Sequence, residues 1–135
     1  MADSMPFVSV IIPTYNRRQL LARALESLSR QTYPVEHFEV IVVDDGSSDG
    51  TADAITHSRY PYELRYLHHA NQGATVARNH GADHSQGECL VFMDDDIVPG
   101  AVAIAVLAHE LTSRRRTIIL GKLGLPSQIT ARSLY

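Results

Sequence analysis

Hydrophobic and polar positions fall in blocks along this chain. Residues 8–12, Val-Ser-Val-Ile-Ile, are a β-branched run closed by Pro13, which predicts a buried first strand followed by a loop. Leu20, Leu21, Ala24, Leu25 and Leu28 then recur on one face of a helix, with Asn16 standing where its N-cap belongs. Thr32-Tyr33-Pro34 ends that helix, and residues 40–43, Val-Ile-Val-Val, make a second buried strand that runs into Asp44-Asp45-Gly46-Ser47-Ser48-Asp49-Gly50. A short helix over residues 51–57, capped by Asp49, leads through Tyr60-Pro61-Tyr62 to a weaker third strand at 64–68 and a loop at Asn71-Gln72-Gly73.

Residues 74–85 are rich in alanine with Gly81 inside them, a helix of small side chains that allows close backbone approach. After Gln86-Gly87 comes Leu90-Val91-Phe92-Met93, stopped by Asp94-Asp95-Asp96. Pro99 opens a helix to about residue 112; bulky residues at 102, 104 and 106 alternating with alanine offer a strand instead, but the alanines and the proline favour helix. Residues 117–120 form a last strand. The alternation βαβαβαβαβ predicts one α/β domain over 1–135, a mainly parallel sheet with helices on both faces.

An apolar run must be buried, and three adjacent carboxylates cannot be buried with it, so Asp94-Asp95-Asp96 mark where the strand leaves the sheet. Crowded carboxylates raise one another's pKa unless a cation or strong donors hold them. Hard oxygens of this kind suit Mg²⁺ or Mn²⁺; the competing role is capping the helix that follows, for which one acid or two suffice. Ligands of parallel sheets bind outside the carboxyl ends of the strands, which brings Pro13-Thr14-Tyr15-Asn16, Asp44-Asp45-Gly46-Ser47 and Asp94-Asp95-Asp96 to one edge.

Charge changes the picture only by exclusion. Twelve basic against fifteen acidic side chains give −3, with no footprint for nucleic acid, and Arg114-Arg115-Arg116 reads as a solvated helix end. Cys89 is the single cysteine, a buried inert thiol compatible with a reducing, cytoplasmic setting. No leader pattern opens the chain, and residues 101–111 are too short an apolar stretch to span a bilayer. Neither Gly-x-Gly-x-x-Gly nor a phosphate loop ending in Gly-Lys-Ser/Thr follows a strand. Residues 45–50 imitate half an EF-hand, but Thr56 stands where the bidentate glutamate belongs. The seven histidines show no ligand spacing beyond the pair His68-His69 and read as structural or surface residues.

Four motifs in order carry a resemblance over nearly the whole chain: Val8 through Asn16, Val42 through Thr51, Asn71-Gln72-Gly73 with Ala77-Arg78-Asn79, and Phe92-Met93-Asp94-Asp95-Asp96. Together they resemble family 2 glycosyltransferases of the GT-A fold. The resemblance implies a Rossmann-like half that binds a nucleoside-diphosphate sugar, commonly a UDP-sugar, across the strand ends. Pro13, Thr14 and Tyr15 match the segment lining the nucleoside, where a tyrosine ring can pack on base or ribose, or else under the first helix. Asp45 matches the acid that accepts from the base, with Asp44 as the substitute or as an orienter of the loop, and Gly46 allows close backbone approach. Arg78 matches the arginine that pairs with phosphate or braces the acidic loop. Asp94-Asp95-Asp96 match the Asp-x-Asp motif: Asp96, with Asp94 as a second ligand, on Mn²⁺ or Mg²⁺, and Asp94 or Asp95 on the ribose.

The resemblance implies metal-assisted transfer with inversion to an acceptor that is a glycan, lipid or protein. In the family the catalytic base lies further along than Tyr135, and residues 121–135 contain no acid. The expected layout therefore lacks the acceptor half, leaving an edge for a second copy or a completing partner chain, and allows peripheral membrane association. A non-catalytic nucleotide-binding or assembly module is the alternative; a nucleotidyltransferase is weaker, since no basic glycine-rich loop follows the first strand.

Overall fold

Strands β1 (Val8–Thr14) and β2 (Phe38–Asp44) are buried at every position, which is why their sequences read as runs and not as alternations. In the computed structural model, which describes residues 5–114, 118–121 and 131–134, they form the middle of a four-stranded parallel sheet. The order is β3-β2-β1-β4, with β3 at Glu63–His68 and β4 at Cys89–Phe92. The chain first winds outward from β1 through β2 to β3 and then returns to the far side of β1. The strand order reverses between β1 and β4, so the crevice expected to take a ligand lies there.

Alternate residues of the inner strands serve opposite faces. Val8, Val10 and Ile12 of β1 and Val40 and Val42 of β2 pack against Leu21, Ala24, Leu25 and Leu28 of α1 (Arg18–Leu28), Ile55 of α2 (Thr51–His57) and Ile104 and Ala108 of α4 (Ala103–Thr112). Ile11, Ile41 and Val43 face α3 (Ala74–Asp83) through Ala77. Gly81 brings α3 close: a Cβ there would lie 2.5 Å from Ile11 Cγ2 and 3.1 Å from Val43 Cγ2. At the opposite end of the sheet from the acidic loop, buried Glu39 accepts from Ser9 Oγ at 2.7 Å, Gln86 N at 2.9 Å and Arg65 Nη1 at 3.2 Å, so its charge is paired and hydrogen-bonded.

Several expectations are corrected. Pro13 does not end β1 but lies inside it, opposite Val43. Ile11 C=O accepts Met93 N, so odd-numbered residues of β1 direct their backbone groups toward β4; the β4 register stops at Ile11, and the missing N–H of Pro13 deprives no ladder. Asn16 does not cap α1: it adopts φ +51°, and its side-chain Oδ1 accepts from Ser48 N. Asp49 takes that place, accepting from Arg18 N at 3.0 Å and from Thr51 N at 3.2 Å, and so serves the first turns of both α1 and α2. Leu20 is exposed, because the buried stripe of α1 runs through Leu21, Ala24, Leu25 and Leu28. Residues 99–102 precede α4, which starts at Ala103, so Pro99 does not open it. The last strand, Ile118–Gly121, is not a fifth member of the parallel sheet. As β5 it pairs antiparallel with β6 (Ala131–Leu134), which the sequence pattern does not show. Thr117, Arg115 and Arg116 lie outside the described residues; Arg114 pairs with Glu110 at 3.7 Å.

Candidate functional site

The carboxyl ends of β1, β2 and β4 are tied to one another by hydrogen bonds between residues far apart in sequence. Asp45 N donates to Thr14 O at 2.9 Å, Asn16 N to Ser47 Oγ at 2.8 Å, and Thr14 Oγ1 to Asp95 Oδ2 at 2.9 Å. The left-handed turn at Asn16, a conformation asparagine tolerates, lets residues 16 and 47–48 bond in both directions. Tyr15 projects from this junction with 47% of its surface exposed, so its ring is not packed under α1.

Asp44 and Asp45 are both buried and hydrogen-bonded through both carboxylate oxygens. Asp44 accepts from Ser47 N and from the Tyr66 hydroxyl; burial first, and then this carboxylate, push the Tyr66 phenol up, so it stays a donor. Asp45 Oδ1 accepts from Gln72 N and His69 Nε2, each at 2.8 Å, and Oδ2 from Gly73 N at 3.0 Å. Burial by itself raises an acid's pKa, but these donors outweigh it and hold the Asp45 carboxyl below the usual carboxylate range. The loop at 69–73 is thus clamped onto the β2 exit, and His69 N also donates to Asp44 O at 3.1 Å. Gly46, at φ +94°, lies so close that a Cβ would approach Asn71 N to 3.1 Å. Its freedom from a side chain serves this loop contact.

The three acids beyond β4 are not equivalent. Asp95 points inward, 7% exposed, held by Thr14 and by Arg17 Nη1 at 3.3 Å. Asp94 and Asp96 keep 61% and 50% of their side-chain surface, with Arg78 Nη2 at 3.0 Å from Asp94 and Arg17 Nη1 at 3.7 Å from Asp96. The Arg78–Asp94 pair braces the acidic loop from α3. α4 starts at Ala103 and its Ile104 N donates to Gln31 Oε1, so the acids do not cap that helix.

Among the described residues no cluster of three His, Cys, Asp or Glu side chains is arranged to hold a metal by itself. Mg²⁺ and its like need less from a protein, since one or two carboxylates with substrate phosphates and water complete the shell. The exposed carboxylates of Asp94 and Asp96, hard oxygen donors at a strand end and already facing guanidinium cations, fit that requirement. Asp95, occupied by Thr14 and Arg17, positions the loop.

Two participants have no sequence signal in the motifs above. Arg17 pairs with Asp95 and Asp96, and His69, read from the sequence as a structural or surface residue, binds Asp45. A carboxylate cluster in search of cations would have directed attention to Arg17. Nothing local marks His69.

The model of Glycosyl transferase family 2 matches residues 9–131. Glycosyltransferase AglE of Haloferax volcanii is 42% identical over 101 residues, covering 73% of this chain and 33% of the relative. S. aureus TarS 1–349, solved in complex with UDP-GlcNAc, superposes with a TM-score of 0.73 at 29% identity, covering 84% of this chain and 33% of that one. Mannosyltransferase PcManGT from Pyrobaculum calidifontis, solved with GDP-Man and Mn²⁺, gives a TM-score of 0.72 at 32% identity, with 82% and 33% covered. The chain spans about a third of the length of these proteins. With its four-stranded parallel sheet matching part of a GT-A fold, and with the family model extending over nearly all of it, this chain belongs to glycosyl transferase family 2.

Proposed function

We propose that this chain binds the nucleoside diphosphate of a sugar donor, with a UDP-sugar as first candidate, for a metal-dependent, inverting glycosyl transfer. The observation that carries this reading is the junction of β1 and β4, where Thr14, Asp95 and Arg17 fix an acidic loop at the point of strand reversal and leave Asp94 and Asp96 open. Tyr15 offers an exposed ring for base or ribose on the β1 side. Asp44, Asp45 and Gly46 shape the wall beside it, with the loop carbonyls and carboxylate edges as acceptors for the base. Asp96, with Asp94, would hold Mn²⁺ or Mg²⁺, which supplies charge stabilisation for the departing diphosphate when bound. Arg17 and Arg78, placed against the acids, are within the same loop system and present guanidinium groups suited to phosphate oxygens. The neighbours solved with UDP-GlcNAc and with GDP-Man and Mn²⁺ support a nucleotide-sugar ligand and a divalent cation.

Thermal melting tests this reading. A ligand that binds the native state adds stability by mass action, so UDP, UDP-sugars or GDP-sugars should raise the Tm in the presence of Mn²⁺ or Mg²⁺ and lose that effect in EDTA. Equal shifts with and without EDTA would remove the metal, and no shift with any nucleotide would leave an assembly module as the better account.

A further inference from the structure

His69 does more than fill space behind Asp45. Its Nε2 lies 2.8 Å from Asp45 Oδ1, and its Nδ1 lies 3.1 Å from Nδ1 of His80 on α3, the two rings stacked at 5.3 Å. A carboxylate only accepts, so His69 Nε2 carries a proton. Neutral His69 then offers a bare Nδ1, and His80 Nδ1 must donate to it. One proton between the two Nδ1 atoms satisfies the pair. A proton added to His80 enters at Nε2 and leaves this bond in place.

Further groups pack around His80. His84 and Asp83 face it from its own helix, with the His84 ring edge-on at 4.7 Å; Asp45 is already bound to His69, and the sheet beneath α3 presents Ile11 and Val43. Arg65 donates to the His84 carbonyl, adding positive charge on that side. The pair links two parts of the proposed site. Asp45 and the 71–73 loop lie at one end, and α3, whose Arg78 braces Asp94, lies at the other.

We propose that His69 is a positioning residue for the donor nucleotide, holding Asp45 and the 71–73 loop in place while its Nδ1 is held by His80 on α3. This rests on the donor-binding reading above. Titrations of the full chain with UDP and with GDP, each with Mn²⁺ at pH 7.5, test it. His69→Ala is expected to weaken binding at pH 7.5 by about tenfold and to speed amide hydrogen exchange at Gln72 and Gly73. His69→Gln, whose Nε2 can still donate to Asp45, is expected to restore both. Unchanged exchange at Gln72 and Gly73 in His69→Ala overturns the positioning role. If no nucleotide binds any of these proteins, the donor reading has failed, while the exchange rates still decide whether His69 holds the loop.

Discussion

Thr14 Oγ1 donates to Asp95 Oδ2 at 2.9 Å across 81 residues of sequence, joining the end of β1 to the acidic loop beyond β4. Both side chains are buried, so the bond is one that water does not replace. Thr14→Val keeps the shape and removes the donor, leaving a carboxylate oxygen short of a partner. The expected cost is about 1–3 kcal/mol, read from the urea midpoint at unchanged m-value, and Thr14→Ser is expected to recover most of it.

Asp96 and Asp95 should respond oppositely to amide substitution. Asp96 is half exposed and its cation lies 3.7 Å away, so Asp96→Asn is expected to leave the unliganded Tm within about 2 °C, as surface changes do, and to abolish the difference between Mn²⁺ and EDTA in nucleotide melts. Asp95→Asn, within reach of both Thr14 and Arg17, is expected to lower the unliganded Tm. The reverse pattern would make Asp95 the metal ligand.

Gly81→Ala sets helix propensity against packing. Alanine in a helix gains up to about 1 kcal/mol over glycine. The added Cβ would sit 2.5 Å from Ile11 Cγ2, a branched side chain fixed in the inner strand, and overpacking of that kind costs about 1–3 kcal/mol. Net destabilisation is expected in chemical denaturation. A stabilised variant would show that α3 can lift off the sheet freely.

The pH dependence of stability has a defined sign. Burial, then His84 and His69, hold the His80 imidazole below its ordinary 6.5 in the folded chain. Below about pH 6.5 the unfolded chain binds more protons there than the native one, so stability declines from that point until the folded-state value is reached, and is undiminished at neutral pH. The decline in urea midpoint between pH 7 and 5.5 is expected to be shallower in His80→Asn. A second loss occurs at lower pH. Asp45 is held below the carboxylate range by donors that outweigh its burial, and Asp49 chiefly by the Thr51 hydroxyl, so their stabilisation is present above about pH 3.8 and disappears as pH falls through their lowered values.

The sequence alone determined the strands that read as continuous apolar runs, the helices with a periodic face, the polar clusters at three strand ends and the family those clusters resemble. These are local features: a run of valine and isoleucine must be buried wherever it goes, and three carboxylates must stay near water. Tertiary structure decided what three identical residues in a row cannot reveal, that Asp95 turns inward to Thr14 and Arg17 while Asp94 and Asp96 stay open. It also decided that Pro13 belongs to β1, that Asp49, expected at the start of α2, serves the start of α1 as well in place of Asn16, and that the strand at Ile118–Gly121 pairs outside the main sheet. The His69–His80 pair arises only because the end of β3 and a turn of α3 are packed side by side, a contact that no hydrophobic period or motif spacing encodes. Periodicity reports which face of an element is buried, whereas the partner of each polar atom depends on which elements the fold makes neighbours.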